Sequence, residues 1–405
     1  MREMKKKEIS IAFLGALVPD NAKFDNVALR RSGNMVQDGI VCGLHKQGVD
    51  ITVFSMQPRA SFPQNRTLFY KGEKMEYKKG ICLCLIPFIN IVVLKTLFCL
   101  IVESFLIIDW AIRNRNKQRY IMVYNTYTPP LPIVYLLGVL TRSKSVAILY
   151  DLGMPPKQLN LNALKRNIYK CVEWSAKYFI PRIDGRIVIN DAIGQDYGQG
   201  KHYILIDGGI SNNVINRLFK IRERENRKET IFLFAGSISP INGTRLIGEA
   251  LDINKNPLIR VFFAGGGRDL KHVKHLESID NRVKYLGNLN LDELFVLYQD
   301  VDVLLNLRIT DESAKYLFPS KILEYLTIGK YVLSSPIGHI KREYGQFCKV
   351  LTENSSQILS EEMSYLTKIS NNELIKNGYE SRNFMLENHT WEKQSIKICE
   401  YLKNI

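Results

Sequence analysis

The stretch from Leu304 to Ser335 constrains the fold of this chain most, because it reads as an apolar strand, a polar loop, a helix and a second apolar strand. The pattern predicts the first strand at Val301–Leu307 and the second at Tyr331–Ser334. Pro319 is expected in the first helical turn, where its missing N–H leaves no hydrogen bond unmade. Gly329 predicts the helix end, since glycine readily adopts the left-handed conformation found there.

The polar groups of this stretch suit a phosphorylated nucleoside. The loop contains Arg308 and Lys315, and the first helical turn contains Ser320 and Lys321. Two cations, a hydroxyl and the free N–H groups of a helix N-terminus are suited to bind a phosphate. Glu324 lies one turn further on, on the same face as Ser320, where a carboxylate suits the vicinal hydroxyls of a ribose. The stretch therefore predicts a site for a nucleotide diphosphate.

Length and charge set the broad class. A chain of 405 residues is longer than one average domain, so two domains are expected. The net charge of +16 implies attraction to something anionic, which could be nucleic acid, an acidic membrane surface or a phosphorylated substrate. No motif that reads DNA or RNA is visible, and basic residues occur in both halves. We therefore expect no nucleic-acid partner.

The cysteines and the N-terminus indicate a cytoplasmic compartment. The seven cysteines are scattered, odd in number and without a CxxC pair, which is typical of reduced proteins. Cys82 and Cys84 alternate along a predicted strand and share one face, which favours the core over a metal site. The charged start MREMKKKEIS runs directly into a strand and predicts no signal peptide.

Both halves alternate apolar strands with helices, which predicts parallel sheets covered on both faces. Two such doubly wound α/β domains would face each other across a cleft and bind ligands at the carboxyl ends of their strands. The expected divisions are an N-terminal domain at residues 1–208, a linker at 209–229, a C-terminal domain at 230–385 and a final helix at 386–405 that crosses back to the first domain. The other predicted strands are Ile9–Leu14, Asp50–Phe54, Gly80–Pro87, Tyr120–Tyr124, Ser145–Tyr150, Arg186–Ile189, Ile231–Phe234, Arg260–Ala264 and Val283–Leu286.

One segment is unusually apolar. From Ile81 to Trp110 few polar residues interrupt it, and the basic tail that follows ends at Arg119. Pro87 and Lys95 argue against a membrane-spanning helix, which needs about 20 uninterrupted apolar residues. Two readings remain open: a core strand followed by a buried helix, or a strand followed by a helix in the interface of an anionic membrane.

Glycines follow three apolar strands and precede helices. They are Gly15, Gly236 and the run Gly265, Gly266 and Gly267. A ligand can approach backbone N–H groups closely where no side chain intervenes. None of these turns matches GxGxxG, which disfavours a dinucleotide oxidoreductase.

The run NLRITDESAKYLFPSKILEYLTIGKYVLSS resembles the donor-site segment of bacterial retaining glycosyltransferases of family 4. It is most similar to a subgroup in cell-surface polysaccharide synthesis with the pattern N-x-R, E-x-x-K-Y, F-P-S-K and E-Y-L-x-x-G-K. The segments FLFAGSISPINGT, VFFAGGGRD, VKYLGNLNLDEL and HTWEKQSIKI agree in order. The resemblance implies the GT-B fold of two Rossmann-like domains, a nucleotide-sugar donor and an acceptor bound largely by the N-terminal domain.

The resemblance assigns roles to several of these residues. It places Glu324 on the ribose hydroxyls and Arg308 and Lys315 on the diphosphate. The broader family has Arg and Lys in the first loop of the second domain, where this chain has Ser237 and Asn242. Charge for the diphosphate is therefore expected from the cations of the donor segment, as in the subgroup.

Other assignments concern the sugar and the acceptor. Tyr316 stands where the broader family has a glutamate that touches the donor sugar, and Glu312 or Asp311 could substitute for it. Asp151 ends a predicted strand and is expected to orient the acceptor, to lie near the reacting carbon or to cap the strand. Asn34, at the start of the first helix, is expected to contact the acceptor or donor.

The resemblance also bears on cofactor and mechanism. The sequence Asp300-Val301-Asp302 mimics a metal-binding DxD, but it lies where a helix meets a buried strand, so we interpret it as structural. No metal and no other cofactor is expected, and a UDP-linked sugar is the default donor. A nucleotide-sugar 2-epimerase on the same fold and a non-catalytic glycosyltransferase-like subunit are the alternatives. Peripheral binding to the inner face of the cell membrane is left open.

Overall fold

The computed structural model describes residues 8–25, 28–126, 131–152, 163–221, 228–309 and 312–405. The chain forms two compact units, each with its own sheet. Unit 1 comprises Met1–Asp207 and Trp391–Ile405, and unit 2 comprises Gly208–Thr390. The division thus falls at Asp207, next to the expected boundary, while the residues expected to form a linker belong to unit 2.

An eight-stranded sheet forms the centre of unit 1. A separate two-stranded ribbon is formed by strands that come directly before and after β4 and β5 in the sequence. The ten strands are β1 (Ile9–Gly15), β2 (Asp50–Met56), β3 (Phe69–Tyr70), β4 (Glu73–Lys78), β5 (Ile81–Ile86), β6 (Phe88–Ile89), β7 (Gln118–Tyr124), β8 (Lys144–Leu149), β9 (Gly185–Val188) and β10 (Ile204–Leu205). The order in the large sheet is β10-β9-β8-β7-β1-β2-β5-β4, and only the β4–β5 pair is antiparallel. The ribbon joins β3 and β6.

The helices of unit 1 include one from the C-terminus of the chain. They are α1 (Arg31–Lys46), α2 (Val92–Arg113), α3 (Leu131–Thr141), α4 (Ala163–Phe179), α5 (Asp191–Gly198) and α14 (Trp391–Asn404). α14 packs against α1 because glycines make room for its side chains. A Cβ atom at Gly39 would lie 2.2 Å from Nε1 of Trp391, and one at Gly43 would lie 2.0 Å from Oγ of Ser395. The helix expected at 386–405 therefore begins at Trp391 and packs against α1.

Unit 2 is built on a six-stranded parallel sheet. Its strands are β11 (Thr230–Ala235), β12 (Ile259–Ala264), β13 (Val283–Tyr285), β14 (Val303–Asn306), β15 (Tyr331–Ser334) and β16 (Cys348–Val350), in the order β13-β12-β11-β14-β15-β16. Its helices are α6 (Asn212–Ile215), α7 (Thr244–Ile253), α8 (Leu270–Ile279), α9 (Leu291–Asp300), α10 (Lys321–Ile328), α11 (Ile340–Tyr344), α12 (Ser356–Leu366) and α13 (Asn371–Asn388). The predicted α/β class with two doubly wound, Rossmann-like halves is confirmed.

Boundaries in the donor segment differ slightly from the prediction. α10 begins at Lys321 rather than at Pro319, whose carbonyl instead accepts a hydrogen bond from the N–H of Ile322 at 3.1 Å. The helix ends as predicted, with Gly329 at a φ of 76°. The strand expected at Val301–Leu307 is shorter, since β14 spans Val303–Asn306.

The edges of the unit 1 sheet were not predicted. β4 has the sequence EKMEYK, and its polar side chains are exposed along an antiparallel edge. An edge strand needs apolar residues on one face at most, so β4 lacks the continuous apolar run that predicts the central strands. Cys82 and Cys84 share one face of β5, with their sulfur atoms 3.9 Å apart, but both are half-buried rather than fully in the core.

The apolar segment from Ile81 onward was interpreted either as a core strand followed by a buried helix or as a strand followed by a helix in a membrane interface. The structure fits neither interpretation completely. β5 lies in the core of unit 1, as both readings require. α2 then has one buried face, which includes Ile107 and Trp110, and one exposed face, which includes Phe105. A helix that is apolar on both faces is unusual for a protein surface.

Candidate functional site

Several of the predicted donor residues lie near the point where the chain order of the unit 2 sheet reverses. β12 and β13 follow on one side of β11, whereas β14 and its successors lie on the other side. Gly236 and Ser237 follow β11 directly, and Arg308 follows β14 after one intervening residue. Ligands of doubly wound sheets bind at the carboxyl ends of strands at such a reversal. Residues far apart in the sequence therefore meet at one edge of this sheet.

Side chains that follow β15 and β16 in the sequence fix the backbone of Arg308. Its N–H donates to Oγ of Ser335 at 3.0 Å, and Nδ2 of Asn354 donates to its carbonyl oxygen at 2.7 Å. The Ser335 hydroxyl in turn donates to Oδ1 of Asn354 at 2.6 Å. Sequence reasoning missed Ser335 and Asn354, because nothing in their local pattern shows that they reach the loop after β14. Their hydrogen bonds hold in place the backbone of a residue that the sequence predicts to bind the diphosphate.

The loop between Arg308 and α10 contains a short 3₁₀ turn, Glu312–Tyr316. Within it the exposed Lys315 places Nζ 5.7 Å from the centroid of the Tyr316 ring, a cation–π contact. Asp311 and the side chain of Glu312 lie outside the described part of the chain. Which residue contacts the donor sugar therefore stays a prediction.

Lys321 reaches back from the start of α10 to the end of β11. Its Nζ donates to the carbonyl oxygen of Ala235, which also accepts from the Tyr325 hydroxyl at 3.2 Å. A Cβ atom at Gly236 would lie 2.5 Å from Nζ, so the ammonium uses the space that glycine leaves open. Much of the Lys321 side chain is exposed, yet its ammonium lies among protein atoms, and this burial lowers its pKa. Ser320, at the N-cap, is exposed and makes no side-chain capping bond.

Glu324 is held by a residue from another helix. The hydroxyl of Tyr298, in α9, donates to its Oε1 at 2.9 Å. Burial raises the pKa of Glu324, an effect that the Tyr298 hydrogen bond and the nearby ammonium of Lys321 oppose. Tyr298 is fully buried and packs edge-on against the ring of Tyr325. Tyr298 was not predicted, since a tyrosine in an amphipathic helix reads as an ordinary core residue.

The two glycine turns of unit 2 pack backbone against backbone. The N–H of Gly236 donates to the carbonyl of Ala264 at 2.8 Å, and a Cβ atom at Gly265 would lie 2.0 Å from the carbonyl oxygen of Gly236. Gly265 also has a φ of +127°, which side-chain-bearing residues rarely adopt. At Gly266 the nearest group to an added Cβ would be Oδ1 of Asn288 at 2.9 Å. These turns allow the ends of β11 and β12 to lie in contact.

In unit 1, two predicted ligand residues lie next to the loop that follows β1: Gly15 is the last residue of that strand, and Asn34 lies in the first turn of α1. A Cβ atom at Gly15 would lie 2.1 Å from Oε1 of Gln37, and this oxygen accepts a hydrogen bond from the N–H of Ala16 at 2.9 Å. Asn34 accepts from the N–H of Val18 at 2.9 Å and donates to its carbonyl at 3.0 Å. The amide of Asn34 therefore stabilises this loop, and its contact with an acceptor or donor stays a prediction.

Asp151 lies just beyond the end of β8, as expected. Its N–H and that of Tyr150 both donate to Oδ1 of Asn125, at 2.8 and 3.1 Å. Its carboxylate lies 3.5 Å from the guanidinium of Arg30, and both side chains are exposed, that of Asp151 to about half of its surface. The structure thus gives Asp151 a fixed backbone and an accessible carboxylate at a strand end.

The Asp300-Val301-Asp302 sequence has a structural function in its second aspartate. Oδ2 of Asp302 accepts from the N–H of Ile231 at 2.8 Å, which ties the start of β14 to the start of β11. The described residues contain no group of three or more His, Cys, Asp or Glu side chains that could hold a metal ion. The independence from metal remains a prediction.

Comparison with known proteins agrees with the fold. Residues 216–381 match the family model described as glycosyl transferases group 1, which is less than half of the chain. No curated protein matches. A glycosyltransferase from Rickettsia africae is similar in structure over 98% of both chains, with a TM-score of 0.63 and 14% identity.

Two further solved structures are similar over almost their whole length. Sucrose-phosphate synthase from Thermosynechococcus elongatus has a TM-score of 0.62 and 12% identity over 98% of this chain and 99% of that one. Anabaena HepE in complex with UDP has a TM-score of 0.61 and 14% identity over 98% of this chain and 100% of that one. The chain has the GT-B fold, and the family match in unit 2 supports a glycosyltransferase enzyme.

Proposed function

We propose that this protein is a retaining glycosyltransferase of the family 4 type. It moves a hexose-type sugar from a nucleoside diphosphate, by default UDP, onto a glycan or lipid-linked acceptor in cell-surface polysaccharide synthesis. The observation that carries the proposal is the reversal point of the unit 2 sheet. There Arg308 follows β14, and Lys321, at the start of α10, reaches the end of the adjacent strand β11, with Glu324 one turn further along the helix. UDP is favoured because the similar HepE structures hold UDP and UDP-glucose.

In this proposal each charged residue has one task. Glu324, oriented by the Tyr298 hydroxyl, accepts hydrogen bonds from the ribose hydroxyls. Arg308 and Lys315 bind the diphosphate. One of the three N–H groups of the Lys321 ammonium donates to the carbonyl oxygen of Ala235, and the other two are proposed to donate to phosphate oxygens.

The reaction needs charge stabilisation more than a strong base. The bond between the anomeric carbon and the diphosphate oxygen breaks, and a bond forms from that carbon to the acceptor oxygen on the same face. The acceptor proton passes to the leaving diphosphate, whose developing negative charge is stabilised by Arg308 and Lys315. Asp151 is assigned to the acceptor. The acceptor is proposed to lie at the cytoplasmic face of an anionic membrane.

The test combines ligand binding with product analysis. Purified protein is heated with UDP, GDP or ADP, and the matching nucleotide raises the melting temperature because it binds the native state. Incubation with the corresponding sugar nucleotides then yields free sugar and nucleoside diphosphate by slow hydrolysis. An epimerised sugar nucleotide would identify a 2-epimerase instead. Absence of binding to every nucleotide would refute both enzyme assignments and favour a non-catalytic subunit.

Variants connect this result to the site. Glu324→Gln should weaken UDP binding by roughly 10- to 100-fold, the loss of about 1.5–3 kcal/mol for hydrogen bonds to a charged group. Arg308→Ala should lower donor turnover by about 10²- to 10³-fold while the melting temperature of the free protein is unchanged. Lys376→Ala, which removes an exposed cation on α13, is the control and should change neither quantity. Normal kinetics in Arg308→Ala would remove this residue from the site.

A further inference from the structure

Two neighbouring helices of unit 1 present a continuous row of exposed apolar side chains. We call this row the apolar ridge; it consists of Leu94, Leu97, Ile101, Phe105 and Ile112 on α2 and Leu136, Val139 and Leu140 on α3. Exposure reaches 70% of the residue surface at Phe105 and at Leu140. The spacing of three, four or seven residues along α2 places its five members on one helical face. α2 and α3 pack against each other, so the two rows lie side by side.

The ridge is not needed to hold unit 1 together. The opposite face of α2, with Cys99, Glu103, Ile107 and Trp110, is already buried. A helix with apolar residues on both faces is expected to be covered on both, and exposed apolar patches of this extent mark interaction sites. No helix within the described residues is long and apolar enough to cross a bilayer.

Basic residues flank one end of the ridge. Arg119 donates to the carbonyls of Ala111 in α2 and Thr141 in α3, and it thereby holds the C-terminal ends of the two helices together. Arg115 and Arg142 follow these two helix ends, and both are exposed. Between residues 91 and 182 the sequence has thirteen Lys and Arg residues and only four Asp and Glu residues. The ridge thus combines an apolar surface with a positively charged border.

The next helix, α4, also has exposed aromatic side chains next to a basic residue. α4 packs against α3, and its Trp174 and Tyr178 are exposed with their rings stacked 5.5 Å apart. The guanidinium of Arg182 lies 3.6 Å from the centroid of the Tyr178 ring. Tryptophan, tyrosine and arginine are the residues that concentrate at the level of lipid headgroups.

We propose that the apolar ridge is a docking face for an anionic lipid bilayer. Its apolar side chains enter the boundary between headgroups and acyl chains, while Arg115 and Arg142 contact anionic headgroups. Charge distinguishes this occupant from a second copy of the chain. Two copies with a net charge of +16 repel each other, whereas an anionic surface attracts each of them. The proposal extends beyond sugar transfer and does not depend on it.

The test is co-sedimentation of the full chain with phosphatidylcholine vesicles, prepared with and without phosphatidylglycerol. The wild type should bind the anionic vesicles and lose much of that binding at high salt. The double variant Ile101→Ser with Phe105→Ser should bind at least about tenfold more weakly, since each buried apolar side chain contributes roughly 1.5–3 kcal/mol. Both positions are exposed, so the variant should keep the melting temperature of the wild type.

A matched control separates docking from non-specific attraction. A chain with this net charge could adhere to anionic vesicles through any surface, but the ridge variant has the same charge as the wild type. Ile253→Ser with Ile279→Ser removes two exposed apolar residues of unit 2 and should bind like the wild type. Equal binding of the ridge variant and the wild type would overturn the proposal. A wild-type dimer that the ridge variant abolishes, without vesicle binding, would assign the ridge to a second copy instead.

Discussion

Glu103 provides a quantitative test of the buried side of α2. Its side chain is 1% exposed, and neither carboxylate oxygen has a hydrogen-bond partner among the described residues. Burial raises the pKa of Glu103 to about 8, from an ordinary value of 4.5. The folded protein therefore keeps this carboxyl group protonated over a pH range in which the unfolded chain ionises it.

The sign of the pH dependence follows from this difference. Below pH 4.5 both states hold the proton, so Glu103 adds no pH dependence there. Between pH 4.5 and pH 8 only the folded state holds it, and stability therefore falls as the pH rises. Above pH 8 both states are ionised and the loss is complete. A pKa difference of this size corresponds to a total loss on the order of 3–5 kcal/mol.

Glu103→Gln removes the ionisation and nearly preserves the shape. The buried amide still lacks partners, so the stability of the variant relative to the wild type matters less than how the difference changes with pH. The advantage of the variant should grow from pH 4.5 to pH 8 and then stay constant. For a domain the size of unit 1, the change in melting temperature should be on the order of 5–15 °C.

The measurement is the melting temperature of both proteins by calorimetry across this pH range. Glu400→Gln, an exposed carboxylate on α14 of the same unit, is the control and should follow the wild type throughout. Parallel melting curves for Glu103→Gln and the wild type would show that the carboxyl group is hydrated or paired. An advantage that shrinks as the pH rises would contradict the burial of Glu103 even more directly.

Two further substitutions test the packing around the donor site. Gly265→Ala should lower the free energy of unfolding by about 1–3 kcal/mol and weaken UDP binding, since its Cβ would lie 2.0 Å from the carbonyl oxygen of Gly236. The control is Gly287→Ala, which has a φ of +80° and no atom within 4 Å of its Cβ, so it measures the cost of backbone strain alone. Thermal melting and calorimetric titration of UDP measure both quantities, and equal effects of the two substitutions would refute the close approach at Gly265. The buried His339 ring stacks on the ring of Phe318, with the ring centroids 4.8 Å apart. Phe318 lies two residues before the N-cap of α10, so this stacking positions the start of the helix. His339→Leu should therefore raise KM for the donor several-fold while kcat changes little. His339→Phe should restore KM, and a loss in kcat alone would contradict this positioning role.

The sequence predicts the elements of this fold where local chemistry decides them. Gly329 ends α10 because a left-handed residue is needed there, and that requirement is visible in the sequence alone. The apolar runs of β11, β12 and β14 equally predict buried parallel strands. β4 was missed because its order depends on pairing with β5, and no local apolar pattern records that pairing.

The same limit applies to the site. Arg308, Lys321 and Glu324 could be predicted as ligands because they fall in one continuous stretch whose start and stop signals are clear. Tyr298 and Asn354 could not, although they hold Glu324 and Arg308 in place. Their importance comes from contacts between residues 26 and 46 positions apart, which only the folded sheet creates.

Glycines after strands show most clearly what such a signal contains. Each was predicted to let a ligand approach the backbone, and in each case the structure shows a close approach by the protein itself. At Gly15 the approaching group is the Gln37 side chain, at Gly236 it is the Lys321 ammonium, and at Gly265 it is the backbone of Gly236. A glycine records that space is needed but not what fills it. At Gly236 approach by the protein does not exclude the predicted ligand, because the Lys321 ammonium that occupies the space is itself a group that can bind phosphate.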